Sequence, residues 1–181
     1  SYMFGGQAHP NVTIRSIINR GGEQGPQHSQ ALHSWFAHVP GLRVVMPYSV
    51  KDARDLLIAS VLCDDPVVFI DDRWLYDQTD YLDEVKEIDL REVSPQVIAT
   101  GQEITIVSSG FASSLAVKAR ENLLVENISS EIIDLRVLNP YDSSIILESV
   151  KKTGRLLVLD GGWKTCGISA EVIASVIEAL D

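Results

Sequence analysis

The chain is predicted to be an α/β protein of two units, each a parallel or mixed sheet covered by helices. Three observations predict it. Short apolar, β-branched runs near residues 12–18, 42–46, 67–70, 104–107, 131–137 and 156–159 alternate with stretches of helical periodicity. Most of these runs are apolar almost throughout, as parallel strands buried on both faces are. Between Asp71 and about Glu103 the periodicity fades, charge density rises, and Pro95 and Gly101 punctuate. The chain therefore divides into a unit over 1–80, a connection over 81–103 and a second unit over 104–181.

Composition sets the outer bounds. At 181 residues, with roughly 100–200 residues per domain, one or two domains fit. With 45% hydrophobic and 22% charged residues, the chain has the make-up of a globular protein with a substantial core. A net charge of -10 argues against a nucleic-acid or anionic-membrane partner. Cys63 and Cys166 lie far apart without metal-ligand spacing, so a reducing compartment and buried thiols are expected. No apolar run reaches the roughly 18 residues of a membrane span, and the start has no signal-peptide pattern.

Taken in order, residues 12–18 form the first strand, and the loop 20–27 (Arg-Gly-Gly-Glu-Gln-Gly-Pro-Gln) follows it. Ser29 is placed to cap a helix that would bury Leu32, Trp35, Phe36 and Val39, with Pro40-Gly41 stopping it. A strand at 42–46 leads to Ser49-Val-Lys-Asp52, a capping-box spacing with Asp for Glu. The helix it opens should bury Ala53, Leu56, Leu57 and Val61, and a buried strand follows at 67–70. Short strands near 85–88 and 96–99 are expected within the connection. The second unit then reads strand 104–107, helix 112–127, strand 131–137, helix 143–152, strand 156–159 and helix 168–180. Lys151, Lys152 and Gly154 end the fourth of these elements. Ile168, Val172, Val176 and Leu180 line one side of the last.

Ligands of open parallel sheets sit beyond the carboxyl ends of strands. That favours the loop 20–28 and the turns after Val107 and Leu159. His28 is the strongest catalytic candidate, at the end of a glycine-containing loop ahead of a helix start. Its imidazole could move protons near neutral pH, or could simply satisfy loop backbone groups. His33 and His38 fall within the next helix, where structural roles are expected, and His9 lies beside Pro10 in a surface loop. Asp71, Asp72 and Arg73 read as a solvated turn or an ion network. Trp163, after Gly161-Gly162, reads as an interface residue or a core plug. No dinucleotide fingerprint, P-loop or G-x-S-x-G motif is present.

The segment 131–142 (Glu-Ile-Ile-Asp-Leu-Arg-Val-Leu-Asn-Pro-Tyr-Asp) is the most distinctive wording in the chain. An apolar strand breaks at Pro140, and Asp142 can accept from the first amides of the helix beyond. In this wording the chain resembles the beta subunit of thiamine-diphosphate-dependent 2-oxo acid dehydrogenases, the E1 component of pyruvate dehydrogenase-type complexes in the transketolase superfamily. The resemblance continues in order. It runs through Tyr2-Met3 with Gly5-Gly6-Gln7, Gln27-His-Ser-Gln30, residues 40–47 (Pro-Gly-Leu-Arg-Val-Val-Met-Pro) and residues 104–110 (Ile-Thr-Ile-Val-Ser-Ser-Gly). It closes with Lys152-Thr-Gly-Arg155, Gly161-Gly-Trp163 and residues 167–171 (Gly-Ile-Ser-Ala-Glu).

The resemblance implies that 1–80 is the latter part of a pyrimidine-binding domain and 104–181 most of a transketolase C-terminal domain. It implies decarboxylation of a 2-oxo acid and passage of the acyl group to a lipoyl carrier, with His28 as the active-site histidine. It implies thiamine diphosphate and magnesium as cofactors, shared with an E1 alpha subunit. It also implies a lipoyl-bearing E2 component as partner, homodimerisation of beta subunits near Trp35 and Trp163, and a cytoplasmic or mitochondrial-matrix location. A potassium site through backbone carbonyls of Ile17, Val61, Leu62 and Asp64 is implied, although one residue is missing before Pro66. The family's cofactor-contacting glutamate, its Gly-Asp-Gly metal motif and its last strand and helix are not matched. The chain is therefore expected to be truncated at both ends and, alone, to bind the cofactor poorly. The loop 20–28 is shorter than in pyruvate-type members. Its Gly25-Pro26 is similar to transketolase and deoxyxylulose-phosphate synthase, which act on sugar phosphates and form the rival reading. Arg73 and Arg136 are that reading's phosphate-binding candidates. A noncatalytic assembly module with the C-terminal fold is the third.

Overall fold

The structure is a computed structural model and describes residues 4–18 and 25–180. In chain order the elements are β1 (Thr13–Ile18), α1 (His33–Ala37), β2 (Arg43–Val45), α2 (Val50–Leu62), β3 (Val67–Asp72), β4 (Gln96–Ala99) and β5 (Ile104–Ser108). They continue with α3 (Phe111–Val125), β6 (Ser130–Asp134), β7 (Val137–Asn139), α4 (Ser144–Thr153), β8 (Leu156–Leu159) and α5 (Ile168–Leu180). The two sheets have strand orders β1-β3-β2-β7 and β4-β6-β5-β8. Each is parallel but for one antiparallel strand, β7 in the first and β4 in the second. The expected α/β class with parallel and mixed sheets is what forms.

The local signals act as their chemistry requires. The Ser49 hydroxyl accepts from Asp52 N–H at 3.0 Å and starts α2. The residue past α4, Gly154, is left-handed (φ 69°), and its N–H closes on Val150 O at 2.8 Å. Asp142 accepts from Ser144 N–H at 2.9 Å ahead of α4. Ile168, Val172 and Val176 of α5 are buried, while Leu180 at the helix end is exposed. Of the two strands expected in the connection, 96–99 forms as β4 and 85–88 stays irregular.

Two elements differ from the sequence reading. The run 131–137 is not one strand. It breaks at Leu135-Arg136, where Arg136 takes a left-handed φ of 62°. That geometry costs a side-chain-bearing residue about 1–2 kcal/mol. It turns the chain so that β7 leaves the second sheet and pairs antiparallel with β2 of the first. Three contacts hold the turn. Met46 N–H donates to Arg136 O at 2.9 Å, the Arg136 guanidinium pairs with Asp52 at 2.9 Å, and Asn139 Nδ2 donates to Leu42 O at 2.7 Å. The second difference is α1, which is a single turn and half, uncapped by Ser29, and rolled over. Trp35 is 70% exposed, whereas His33 is 1% exposed.

The β7 crossover makes the two units share a core. One apolar cluster takes Ile18, Val44, Val68 and Ile70 from the first unit and Val107, Ile133, Ile146 and Val172 from the second. Beside it, the Trp74 ring in the turn after β3 stacks on Phe111 at the start of α3, with centroids 5.7 Å apart. The second unit therefore fixes where the strand tips of the first unit stand.

Candidate active site

A crevice of about 360 Å³ opens at the carboxyl ends of β1 and β3, within the range of small-molecule pockets. Ile18, Ile70, Leu32 and Phe36 give it apolar walls, and Ser16, Gln27, His28, Gln30 and Arg73 give it polar ones. The strand-tip position expected for a ligand site is thus where His28 stands. His28 is exposed, and its backbone N–H closes a turn on Gly25 O at 3.3 Å. The Gln30 side-chain amide braces the same turn by donating to Pro26 O at 2.8 Å. The helix expected just after His28 begins only at His33, five residues later. Residues 20–24 of the expected glycine loop, and Tyr2-Met3, lie outside the described residues.

His33, in the wall of the crevice, makes a contact behind it that sequence reasoning missed. His33 Nε2 lies 2.8 Å from Asp160 Oδ1, the residue just past β8, and the two side chains are 0% and 5% exposed. Asp160 also accepts from the N–H groups of Gly162 (2.9 Å) and Ser169 (3.3 Å). Burial pushes its carboxyl up, but His33 and these amides outweigh that and hold it below the usual carboxylate range. A carboxylate here requires Nε2 to be the protonated, donating nitrogen. The other ring nitrogen, Nδ1, has no partner among the described residues. A second bond across the same seam runs from Ile168 N–H to Ser34 Oγ at 3.0 Å.

The remaining candidates sort by geometry. Asp71 and Asp72 form an ion-and-cap network rather than a solvated turn. Arg15 Nε meets Asp71 at 2.5 Å, and Asp72 accepts from Trp74 N–H at 3.0 Å. Asp71 is nonetheless raised, because burial outweighs Arg15. Arg136 is committed to Asp52 and lies at the β6–β7 turn, away from the crevice. His38 caps the end of α1, and His9 is exposed, 3.9 Å from Asp65. Trp35 and Trp163 are 70% and 76% exposed, which fits an interface and not a core plug. Cys63 is buried as expected, but Cys166 is exposed.

The residues of the potassium set stand at different places along the strands. Thr13, at the start of β1, donates to Ser60 O at 2.7 Å, so the end of α2 with Val61, Leu62 and Asp64 lies at the amino end of the strands. Ile17 pairs with Asp71, four residues farther along. At about 3.3 Å per strand residue, that is roughly 13 Å from Thr13. The parallel register therefore keeps Ile17 away from the other three. Among the described residues no group of three or more His, Cys, Asp or Glu side chains could hold a metal ion. No helix among them is long and apolar enough to cross a membrane.

Comparison with known proteins agrees with this architecture. Residues 1–78 match the transketolase pyrimidine binding domain, and residues 95–181 match the transketolase C-terminal domain. The chain belongs to the transketolase superfamily. Its curated relatives include pyruvate dehydrogenase E1 component subunit beta of Rickettsia bellii (38% identical, 99% of this chain, 55% of the relative). The same subunit of Rhizobium meliloti is 36% identical over 98% of this chain and 38% of the relative. The beta subunit of acetoin:2,6-dichlorophenolindophenol oxidoreductase from Cupriavidus necator is 38% identical over 98% and 52%. The chain thus spans between 38% and 55% of these relatives' lengths. Among solved structures, a split-gene transketolase, an inactive beta4 tetramer, superposes with a TM-score of 0.75 at 21% identity, covering 93% of this chain and 54% of that one.

Proposed function

We propose that the chain is part of the beta subunit of a thiamine-diphosphate-dependent 2-oxo acid dehydrogenase E1 component, and that His28 is its proton-handling residue. The observation that carries this reading is the position of His28 at the mouth of a strand-tip crevice, in a chain whose relatives at 36–38% identity are E1 beta subunits and the like. The crevice suits one side of a ring-bearing cofactor. Its apolar walls can take an aromatic ring while His28, Gln27 and Gln30 reach polar edges. Bound thiamine diphosphate supplies the carbanion-stabilising chemistry of decarboxylation. His28 exchanges a proton with the reacting oxygen, and the apolar walls exclude water. The first unit (1–80) then serves as the pyrimidine-binding half, 81–103 as the connection and 104–181 as the C-terminal half.

The buried Asp52, Asp55, Asp71 and Asp160 are engaged in ion pairs, and no Asp or Glu is among the described residues lining the crevice, which supports magnesium being held by an alpha subunit across it. The exposed Trp35 and Trp163 support beta–beta contact near α1 and the turn after β8, and a lipoyl-bearing E2 component would be the acyl acceptor. A cytoplasmic or mitochondrial-matrix location accords with that assembly. The test is His28→Ala in the full-length subunit assembled with its alpha partner. Lipoyl acylation should fall about 100- to 10,000-fold, the range for losing a general acid–base. Cofactor affinity, read by calorimetry, should change little. An equal loss of both would assign His28 a structural role.

A further inference from the structure

We propose that His33 and Asp160 are positioning residues for His28: their contact fastens the segment that carries His28 to the β8 tip of the second unit. The inference rests on the reading of the His28 crevice as the reactive one. Three observations carry it. First, the two residues are 127 positions apart, yet meet at 2.8 Å with both side chains out of solvent. A buried imidazole–carboxylate contact with these partners has one geometry, because Asp160 is itself fixed by two backbone N–H groups. Second, His33 lines the same crevice as His28, five residues on, and Gln30, between them in sequence, ties the turn that carries His28 by donating to Pro26 O. A shift at His33 is therefore delivered to His28 through a short, tied stretch of chain. Third, the Gly161-Gly162 turn is moulded to the pair. A Cβ on Gly162 would stand 3.2 Å from His33 Cε1 and 3.3 Å from Ala31 O. A side chain at 162 would therefore press on the imidazole, and glycine leaves it in place.

The pair acts through His28 and touches no substrate. Its removal should therefore lower turnover more than substrate affinity. In the full-length subunit assembled with its alpha partner, Asp160→Ala should lower kcat about 10- to 100-fold, the cost of a misplaced catalytic group, with KM for the 2-oxo acid within about threefold of the parent. Asp160→Asn keeps an acceptor for both Nε2–H and Gly162 N–H, and should recover to within about threefold of the parent. His33→Ala is the second disruption should Asp160→Ala fail to fold, and should match it.

An independent readout needs no activity. The rate at which diethyl pyrocarbonate acylates His28, relative to exposed His9 in the same molecule, should change at least about threefold in Asp160→Ala and stay parental in Asp160→Asn. A folded Asp160→Ala or His33→Ala protein with parental kcat and a parental His28-to-His9 ratio overturns the proposal. So does an Asp160→Asn variant as impaired as Asp160→Ala, since the effect would then be one of charge. If His28→Ala itself keeps full turnover, the reading of the crevice fails, and the labelling ratio still decides the pair on its own.

Discussion

Replacing Asp134 by asparagine should flatten the pH dependence of folding stability between about pH 4 and pH 8. Asp134 ends β6, is 0% exposed, and has one carboxyl oxygen 2.5 Å from the Ser113 hydroxyl and the other without a partner. Burial, reinforced by the charge of Asp52 and opposed by Ser113 and Arg136, pushes its carboxyl from 3.8 to about 8. The folded chain therefore holds a proton that the unfolded chain has released over this whole interval. Stability is fully present below about pH 4 and is lost as pH rises to about 8. The gap between 3.8 and about 8, at about 1.4 kcal/mol per pH unit, amounts to an upper figure of about 6 kcal/mol. Relaxation around a buried charge reduces this to a few kcal/mol in practice. Asparagine reproduces the neutral carboxyl, still accepts from Ser113 and does not titrate. Urea unfolding followed by tryptophan fluorescence at pH 5, 6, 7 and 8 reads the difference. Asp134→Asn should exceed the parent by a small margin at pH 5, and the margin should widen to about 2 kcal/mol or more at pH 8. Carboxylates held low, such as Asp160 and Glu131, lose their contribution only at lower pH, and so leave this window clear. Parallel pH profiles for the two proteins would refute the reasoning.

Three further substitutions test the packing of Gly101 against β6 and the turn that joins the two units. Gly101→Ala should destabilise by more than about 3 kcal/mol, because its Cβ would stand 2.1 Å from the carbonyl carbon of Ser130, a backbone atom that cannot swing aside; thermal unfolding checks it. Arg136→Ala should cost about 3 kcal/mol by leaving the mostly buried Asp52 unpaired. Arg136→Gly should be about 1 kcal/mol milder, since glycine accepts the left-handed backbone at that turn, and chemical denaturation of the two variants side by side checks the order.

Much of the architecture was legible where a local rule and the global fold agree. The apolar runs of β5 and β6 read as buried strands and are buried, while that of β8 forms the strand but stays half-buried at the sheet edge. Ser49 and Gly154 marked the start of α2 and the end of α4 by side-chain and backbone chemistry that acts within one turn. The α5 face was readable because three and a half turns of helix give periodicity enough repeats. In α1 the same reasoning fails. A five-residue helix offers barely one repeat, and its roll is set by Asp160, a partner that no local pattern announces. The crossover of β7 was hidden for a similar reason. An Arg in a left-handed conformation has no sequence signature, and Met46 and Asp52, which stabilise it, come from the other unit. Of the site, His28 and its strand-tip location were legible from loop position and wording. The His33–Asp160 contact was not, although a carboxylate at a strand tip followed by Gly-Gly is a signal worth pairing with any nearby histidine. The separation of Ile17 from the end of α2 was hidden because register along a parallel strand pair is not visible in spacing.

The most direct test of the account is a cryo-electron microscopy structure of the assembled enzyme with thiamine diphosphate and a 2-oxo acid analogue bound. The account predicts the analogue in the crevice beyond β1 and β3, with the His28 imidazole within hydrogen-bond reach, about 3 Å directly or through one water. A ligand seated elsewhere, with the His28 ring facing solvent on the far side of the subunit, would contradict it.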